Sequence, residues 1–218
     1  MSNLQTAFAG LDMSKAKTQK ETTKAATPSQ AGRFLDFYTD SAGKIGKAAG
    51  TCAETIGTPK HGETMHVVSM GDWSAEHVIA HLTDVCGPLH LMMATWSVSN
   101  DATHRFAEAM RRGWILSCRA LLDWRVKVRR PDALAILRQA MASTDLRLGA
   151  CHAKIYLLHN DDWHLTFVGS PNLTTNPRIE ASVLTESKDV WRFHVDWLGA
   201  EIDGANPFDV PRRKAKKR

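Results

Sequence analysis

The chain has 218 residues, 43% of them hydrophobic, with 28 Lys and Arg against 23 Asp and Glu and a formal net charge of +5. That length suits one sizeable core with tails, and no apolar run approaches the roughly 18–20 residues that a membrane helix needs. Leu4–Leu11 is broken by Gln5 and Thr6 and lacks a signal-peptide core, so the expectation is a soluble, cytoplasmic protein without stable membrane association.

Residues 1–30 are Lys-, Thr-, Ala-, Ser- and Gln-rich, with almost no large apolar side chain after Met13. They read as a disordered or loosely helical arm. Residues 31–62 read as a transitional docking segment. Phe34, Leu35, Phe37 and Tyr38 suit a short helix there, and Gly43, Gly46, Gly50 and Gly57 argue against regular structure beyond it. The folded domain is expected over residues 63–207. Thr64–Met70 is β-prone, and Asp72 or Ser74 suits the cap of a helix over Ala75–Val85 with Val78, Ile79, Leu82 and Val85 on one face. Gly87-Pro88 stops it. Leu89–Val98 suits a central strand. Asn100 or Asp101 would cap a helix running through Arg112 to Gly113, and Trp114–Leu122 is a strand closing in Asp123. Pro131 opens a helix over Asp132–Met141. Short strands follow at Ile155–Leu158, Leu165–Val168 and Val183–Leu184, then a helix over Val190–Leu198 with Trp191, Val195 and Leu198 aligned. Strands alternating with helices argue for an α/β fold around a mixed sheet.

Residues 208–218 form a basic tail. The last eight, PRRKAKKR, hold six of the 28 basic residues, whereas residues 34–210 hold 17 bases against 21 acids. The positive excess therefore belongs to the ends, where a basic arm either holds nucleic-acid phosphates or stays solvated. Cys52, Cys86, Cys118 and Cys151 stand far apart, so neither a zinc ribbon nor a dithiol motif is present and free buried thiols are expected.

The chemistry is concentrated in Cys151–Glu180, CHAKIYLLHNDDWHLTFVGSPNLTTNPRIE. Residues i and i+2 share a face of a strand, so His152 and Lys154 project together. If the two apolar runs pair as neighbouring strands, Ser170 and Asn172 come near them from the following turn. An imidazole, a cation, a hydroxyl and an amide around one small space suit a phosphate. Taken singly these residues have duller readings. His152 could be a satisfied strand histidine and Lys154 an edge gatekeeper, while Gly169-Ser170-Pro171-Asn172 could be a plain turn.

Together they resemble the phospholipase D superfamily, whose half-site reads His-x-Lys followed by Gly-Ser-x-Asn. His152, Lys154, Gly169, Ser170 and Asn172 match it, and Glu180 fits the family's downstream acid. The longer family pattern often has Asp five residues after the Lys, where this chain has His159; Asp161 and Asp162 lie out of register. AEAMRRGWILSCRALLD is similar to the family's helix–Gly–strand–Asp segment, so the resemblance spans about residues 70–200. It implies a phospholipase D-like sandwich of one repeat, a mixed central sheet with helices on both faces. A second His-x-Lys is not encoded, and family members with one motif pair two subunits. The resemblance thus implies a homodimer in which His152 of one subunit attacks phosphorus and His152 of the other protonates the leaving group. Lys154, Gly169, Ser170 and Asn172 would hold the phosphate, and Glu180 would bond the far nitrogen of His152. No metal or cofactor is called for.

Other groups carry less. His77 and His81 are four apart, but HVIAH lacks the Glu of the zinc-protease motif. His159 and His164 flank a turn where a metal site is conceivable and a solvated tip commoner. Trp163 at that tip either stacks on a base or covers the hairpin. Between Arg105 and Arg130 eight bases face two acids. Among them Arg111, Arg112, Arg125, Lys127, Arg129 and Arg130 are candidates for tracking a nucleic-acid backbone. The leading expectation is a metal-independent nuclease acting through a phosphohistidine, on DNA or RNA. The alternatives are a catalytically silent nucleic-acid-binding or assembly protein and a lipid phosphodiesterase.

Overall fold

The computed structural model describes residues 51–142, 145–175 and 177–205, with the backbone of 32–33 and 43–45. The expectations for the arm 1–30, the helix at Phe34–Tyr38 and the tail 208–218 lie outside the described residues. Nine strands among the described residues form one mixed sheet. They are β1 Gly32–Arg33, β2 Gly43–Ile45, β3 Thr64–Ser69, β4 Leu89–Thr95, β5 Ile115–Asp123, β6 Leu146–Gly149, β7 Ile155–His159, β8 His164–Gly169 and β9 Glu180–Glu186. The order across the sheet is β1-β3-β9-β8-β7-β4-β5-β6, and β2 pairs with β3 beside β1. β4, β5 and β6 run parallel; β4–β7, β7–β8, β8–β9 and β3–β9 are antiparallel.

Six helices cover the two faces: α1 Cys52–Ile56, α2 Ala75–Val85, α3 Asn100–Arg111, α4 Val126–Arg129, α5 Pro131–Ala140 and α6 Lys188–Gly204. One face packs Ile56, Val78, Leu82, Phe106, Leu134 and Leu137 from α1, α2, α3 and α5 against Met65, Leu91, Leu122, Tyr156 and Phe167 of the sheet. The opposite face packs Leu198 and Ile202 of α6 against Ala94, Leu121, Ile155 and Leu157. The alternation along β4 and β7, one residue to each side, is what a strand covered on both faces requires. This is the expected α/β sandwich with helices on both faces.

Capping explains the boundaries. α2 begins at the expected Ser74, whose N–H donates to His77 Nδ1 at 3.2 Å. α3 is capped one residue earlier than expected: Ser99 Oγ, rather than Asn100 or Asp101, accepts from the Ala102 N–H at 3.3 Å. Gly113 follows α3 at φ 74°, a left-handed value that suits glycine after a helix end. α6 runs past the expected Leu198 because its apolar stripe continues to Ile202, which is buried. α1, α4 and β6 carry no signal in the periodicity, since each spans only a turn or two pleats.

Candidate active site

β4 and β5 are parallel, so their carboxyl ends, Thr95 and Asp123, leave the sheet at the same edge. β7 is antiparallel to β4 and begins at that edge just after Lys154, while β8 ends there at Gly169 and β9 begins there at Glu180. The topology therefore gathers residues far apart in the chain. A cleft of about 500 Å³ opens at this edge, lined by His152, Lys154, Val168, Gly169 and Ser170, with His194 and Trp197 contributed by α6.

His152 is exposed. The Lys154 ammonium lies 3.3–3.4 Å from its ring nitrogens and donates to its backbone oxygen at 2.9 Å. Partial burial pulls the Lys154 pKa below its ordinary value, and the charges of Cys151 and Glu180 act against that shift. Gly169 is required by sterics. A Cβ there would stand 2.4 Å from the Ala181 oxygen and 2.5 Å from Ser182 Oγ, so a side chain would force β8 from β9.

Two expected partners are arranged differently. Glu180 accepts a hydrogen bond from the Ser170 hydroxyl, and Ser170 Oγ accepts from the Ala181 N–H at 3.0 Å. The Glu180 carboxylate is thus bonded to Ser170 and not to His152, and the Ser170 proton is already committed. The expected Glu180–His152 contact is corrected accordingly: a turn ten residues long brings Glu180 back opposite the start of its own hairpin. Asn172 is outside the cleft lining. Its Oδ1 accepts from the Ser97 N–H at 3.2 Å, and Thr95 Oγ1 lies 3.3 Å away. That stitches the loop after β4 to the loop after β8, a junction also closed by Ser99 N–H donating to the Leu173 oxygen at 3.0 Å.

Sequence reasoning missed two cleft residues and a third that touches His152. His194 and Trp197 are one helical turn apart, and the Trp197 indole N–H donates to His194 Nδ1 at 2.9 Å. An indole nitrogen can only donate, so the His194 ring carries its own hydrogen on Nε2. Burial lowers the His194 pKa. The third is Trp96, at the exit of β4. Its ring lies edge-on to His152 with centroids 5.4 Å apart, and Arg125, Arg129 and Lys154 stand 5.3, 5.9 and 5.8 Å from its centre. A tryptophan closing an apolar strand looks like core in a sequence, and no local spacing reveals these partners.

The other candidates disperse. Arg111 and Arg112 both bond Glu108 on the exposed surface of α3, on the face opposite α6. Lys127 and Arg130 are exposed on and after α4. His77 and His81 are held separately, by Ser74 N–H and by the Gly57 oxygen at 2.7 Å. His159 lies at the far end of β7 from His152, stacked on His90 and His164 at 5.0 and 6.3 Å beside Trp191. The departure from the family pattern therefore falls outside the cleft lining. Trp163 covers the hairpin, stacked on His61 at 4.2 Å.

No family model matches the chain, and no curated protein does. Solved structures do. A phospholipase D family member, Nuc from Salmonella typhimurium, aligns with a TM-score of 0.50 at 17% identity, over 66% of this chain and 97% of its own. NucT from Helicobacter pylori aligns at 0.44 and 13% identity, over 54% and 81%. A phosphatidylserine synthase from Haemophilus influenzae aligns at 0.40 and 13% identity, over 73% and 42%. The likeness to Nuc establishes the fold: this chain has the phospholipase D fold as a single repeat.

Proposed function

We propose that the chain is a metal-independent phosphodiesterase, a nuclease that cleaves nucleic-acid phosphodiester bonds through a phosphohistidine at a site shared by two copies. The observation that carries this reading is the convergence of His152, Lys154, Gly169 and Ser170 on one open cleft at the carboxyl edge of the sheet. An imidazole nitrogen of His152 attacks phosphorus; the N–P bond forms as the bond to the leaving oxygen breaks. A proton passes to that oxygen from His152 of the partner subunit. The same partner imidazole, now neutral, takes a proton from water, and the resulting hydroxide breaks the N–P bond to release a phosphate monoester. Lys154 supplies the positive charge that the non-bridging oxygens need, and the backbone at Gly169, free of a Cβ, lets the phosphate approach the β8–β9 edge. Asn172 ties the loop after β4 to the loop after β8. Glu180 positions Ser170.

His194 does not replace the second imidazole. Protonating its Nδ1 would set two N–H groups against each other, so at neutral pH it acts as a hydrogen-bond donor to a phosphoryl oxygen. Covering of the cleft by a second copy is supported by apolar side chains at its border. Val168 lines it, and Phe193, 67% exposed, meets the ring of the lining His194 edge-on at 4.9 Å. Hydrolysis of plasmid, single-stranded DNA, RNA and bis(p-nitrophenyl) phosphate in excess chelator tests the reading. Activity that falls by roughly 10³-fold or more in His152→Ala agrees with it. Activity abolished by chelator or untouched in His152→Ala contradicts it.

A further inference from the structure

Beside the His152–Lys154 pair lies a group of residues that the proposed reaction does not use. Trp96 leaves β4 at the same edge, and three cationic side chains surround its ring: Arg125 at 5.3 Å, Lys154 at 5.8 Å and Arg129 at 5.9 Å from the centroid. They are not equivalent. Asp123, 1% exposed at the end of β5, takes Arg125 in a fork: its carboxylate accepts from the Arg125 backbone N–H at 3.0 Å, from Nε, and from Nη2 at 3.1 Å. That ion pair balances the Arg125 charge and fixes the turn into α4. At the other end of α4 stands Arg129, exposed and without an ion-pair partner among the described residues. Its guanidinium stands 5.9 Å from the centre of the Trp96 ring, the same ring that meets His152 edge-on.

We propose that Trp96, Arg125 and Arg129 form a second phosphate subsite beside His152 and Lys154, one that takes the phosphate next to the cleaved one in a nucleic-acid strand. The inference rests on the phosphodiesterase reading and names its substrate class. Arg129 and Lys154, neither held in an ion pair among the described residues, stand 5.9 and 5.8 Å from the centre of one indole. A single phosphodiester can occupy the Lys154 centre and leaves the other unused. A chain of consecutive phosphates engages both, and a guanidinium fork is suited to a phosphate that is held without being cleaved. Trp96 sets the spacing. Arg111 and Arg112, occupied by Glu108 on the opposite face, have no share in it.

The test compares kcat/KM on bis(p-nitrophenyl) phosphate, which has one phosphate, with that on a fluorogenic single-stranded deoxyoligonucleotide, both in chelator. Arg129→Ala lowers the oligonucleotide value at least tenfold more than the small-substrate value, chiefly through KM, and Arg129→Lys recovers part of the loss. Trp96→Leu reproduces the selective loss. Arg111→Ala keeps the ratio of the two values within twofold. An equal fall on both substrates, or no fall, overturns the subsite. A second measurement separates this inference from the catalytic reading. Binding of the labelled oligonucleotide to His152→Ala, followed by anisotropy against salt, reports the subsite without turnover. Adding Arg129→Ala reduces the slope of log K against log salt by about 0.7, the contribution of one phosphate contact on a single strand. An unchanged slope overturns the subsite even in an active nuclease; an Arg129-dependent slope in a protein that hydrolyses nothing upholds it and removes the phosphohistidine step.

Discussion

His152 and Lys154 lie in the segment leading into β7, where the Lys154 ammonium stands 3.3–3.4 Å from the His152 ring nitrogens. A separation of two is legible in the sequence, but the partner of Glu180 is not, since only the course of the turn decides whether that carboxylate meets Ser170 or His152. Trp96 was invisible for a similar reason: its importance lies in cations supplied by the cap and end of α4 and by the segment before β7. These contacts yield two predictions. Lys154 must be charged to hold a phosphoryl oxygen, and its pKa lies below the ordinary 10.5. The alkaline limb of kcat/KM should therefore fall below that value and vanish in Lys154→Arg, whose guanidinium does not titrate. Stability moves the other way. The unfolded Lys keeps its proton to higher pH, so desolvation of the folded one is relieved, and stability gained, as pH rises from the lowered pKa toward 10.5. Gly169→Ala should cost about 1–3 kcal/mol in urea denaturation, because the Ser182 hydroxyl can swing aside but the Ala181 oxygen and Ser182 Cα are backbone atoms of β9 that cannot.

The long elements were readable from periodicity and caps. α2 matches its expected ends, and β3, β4, β5, β7 and β8 fall within a few residues of theirs. The short elements were not: β6 is four residues at a sheet edge, and α1 is a single capped turn. α1 nonetheless buries Cys52 and Ile56 in the main core. Ile56→Ala should destabilise the protein by about 2–4 kcal/mol, measurable as a lowered urea midpoint with an unchanged slope. β4, β7 and β8 also align three histidines, His90, His159 and His164, by register. Burial lowers the His159 pKa below 6.5, the charges of His90 and His164 add to that, and Asp161 opposes it. Below about pH 6.5 the unfolded chain takes up this proton first, so stability should drop between pH 7 and pH 5. His159→Gln should flatten that drop when urea midpoints are compared; an identical drop in the variant contradicts the assignment.

At the scale of the whole molecule, the proposed reaction needs two exposed imidazoles, and the cleft of one copy offers one. The cleft is open, apolar side chains border it, and its sole exposed imidazole among the lining residues is His152. No helix of the described residues is long and apolar enough to cross a membrane. Cys52 and Cys86 have thiols pushed up to about 12 and about 11 by burial, and burial raises Cys118 and Cys151 as well, which makes them poor nucleophiles. The nucleophile of the account is therefore His152 alone, and trapping it is the direct test. The protein is mixed with oligonucleotide in chelator, quenched with alkali to preserve a phosphoramidate bond, digested and weighed by mass spectrometry. The account predicts a nucleotidyl or phosphoryl adduct on the peptide carrying His152, absent in His152→Ala. Full turnover with no adduct at His152, or an adduct elsewhere, would contradict it.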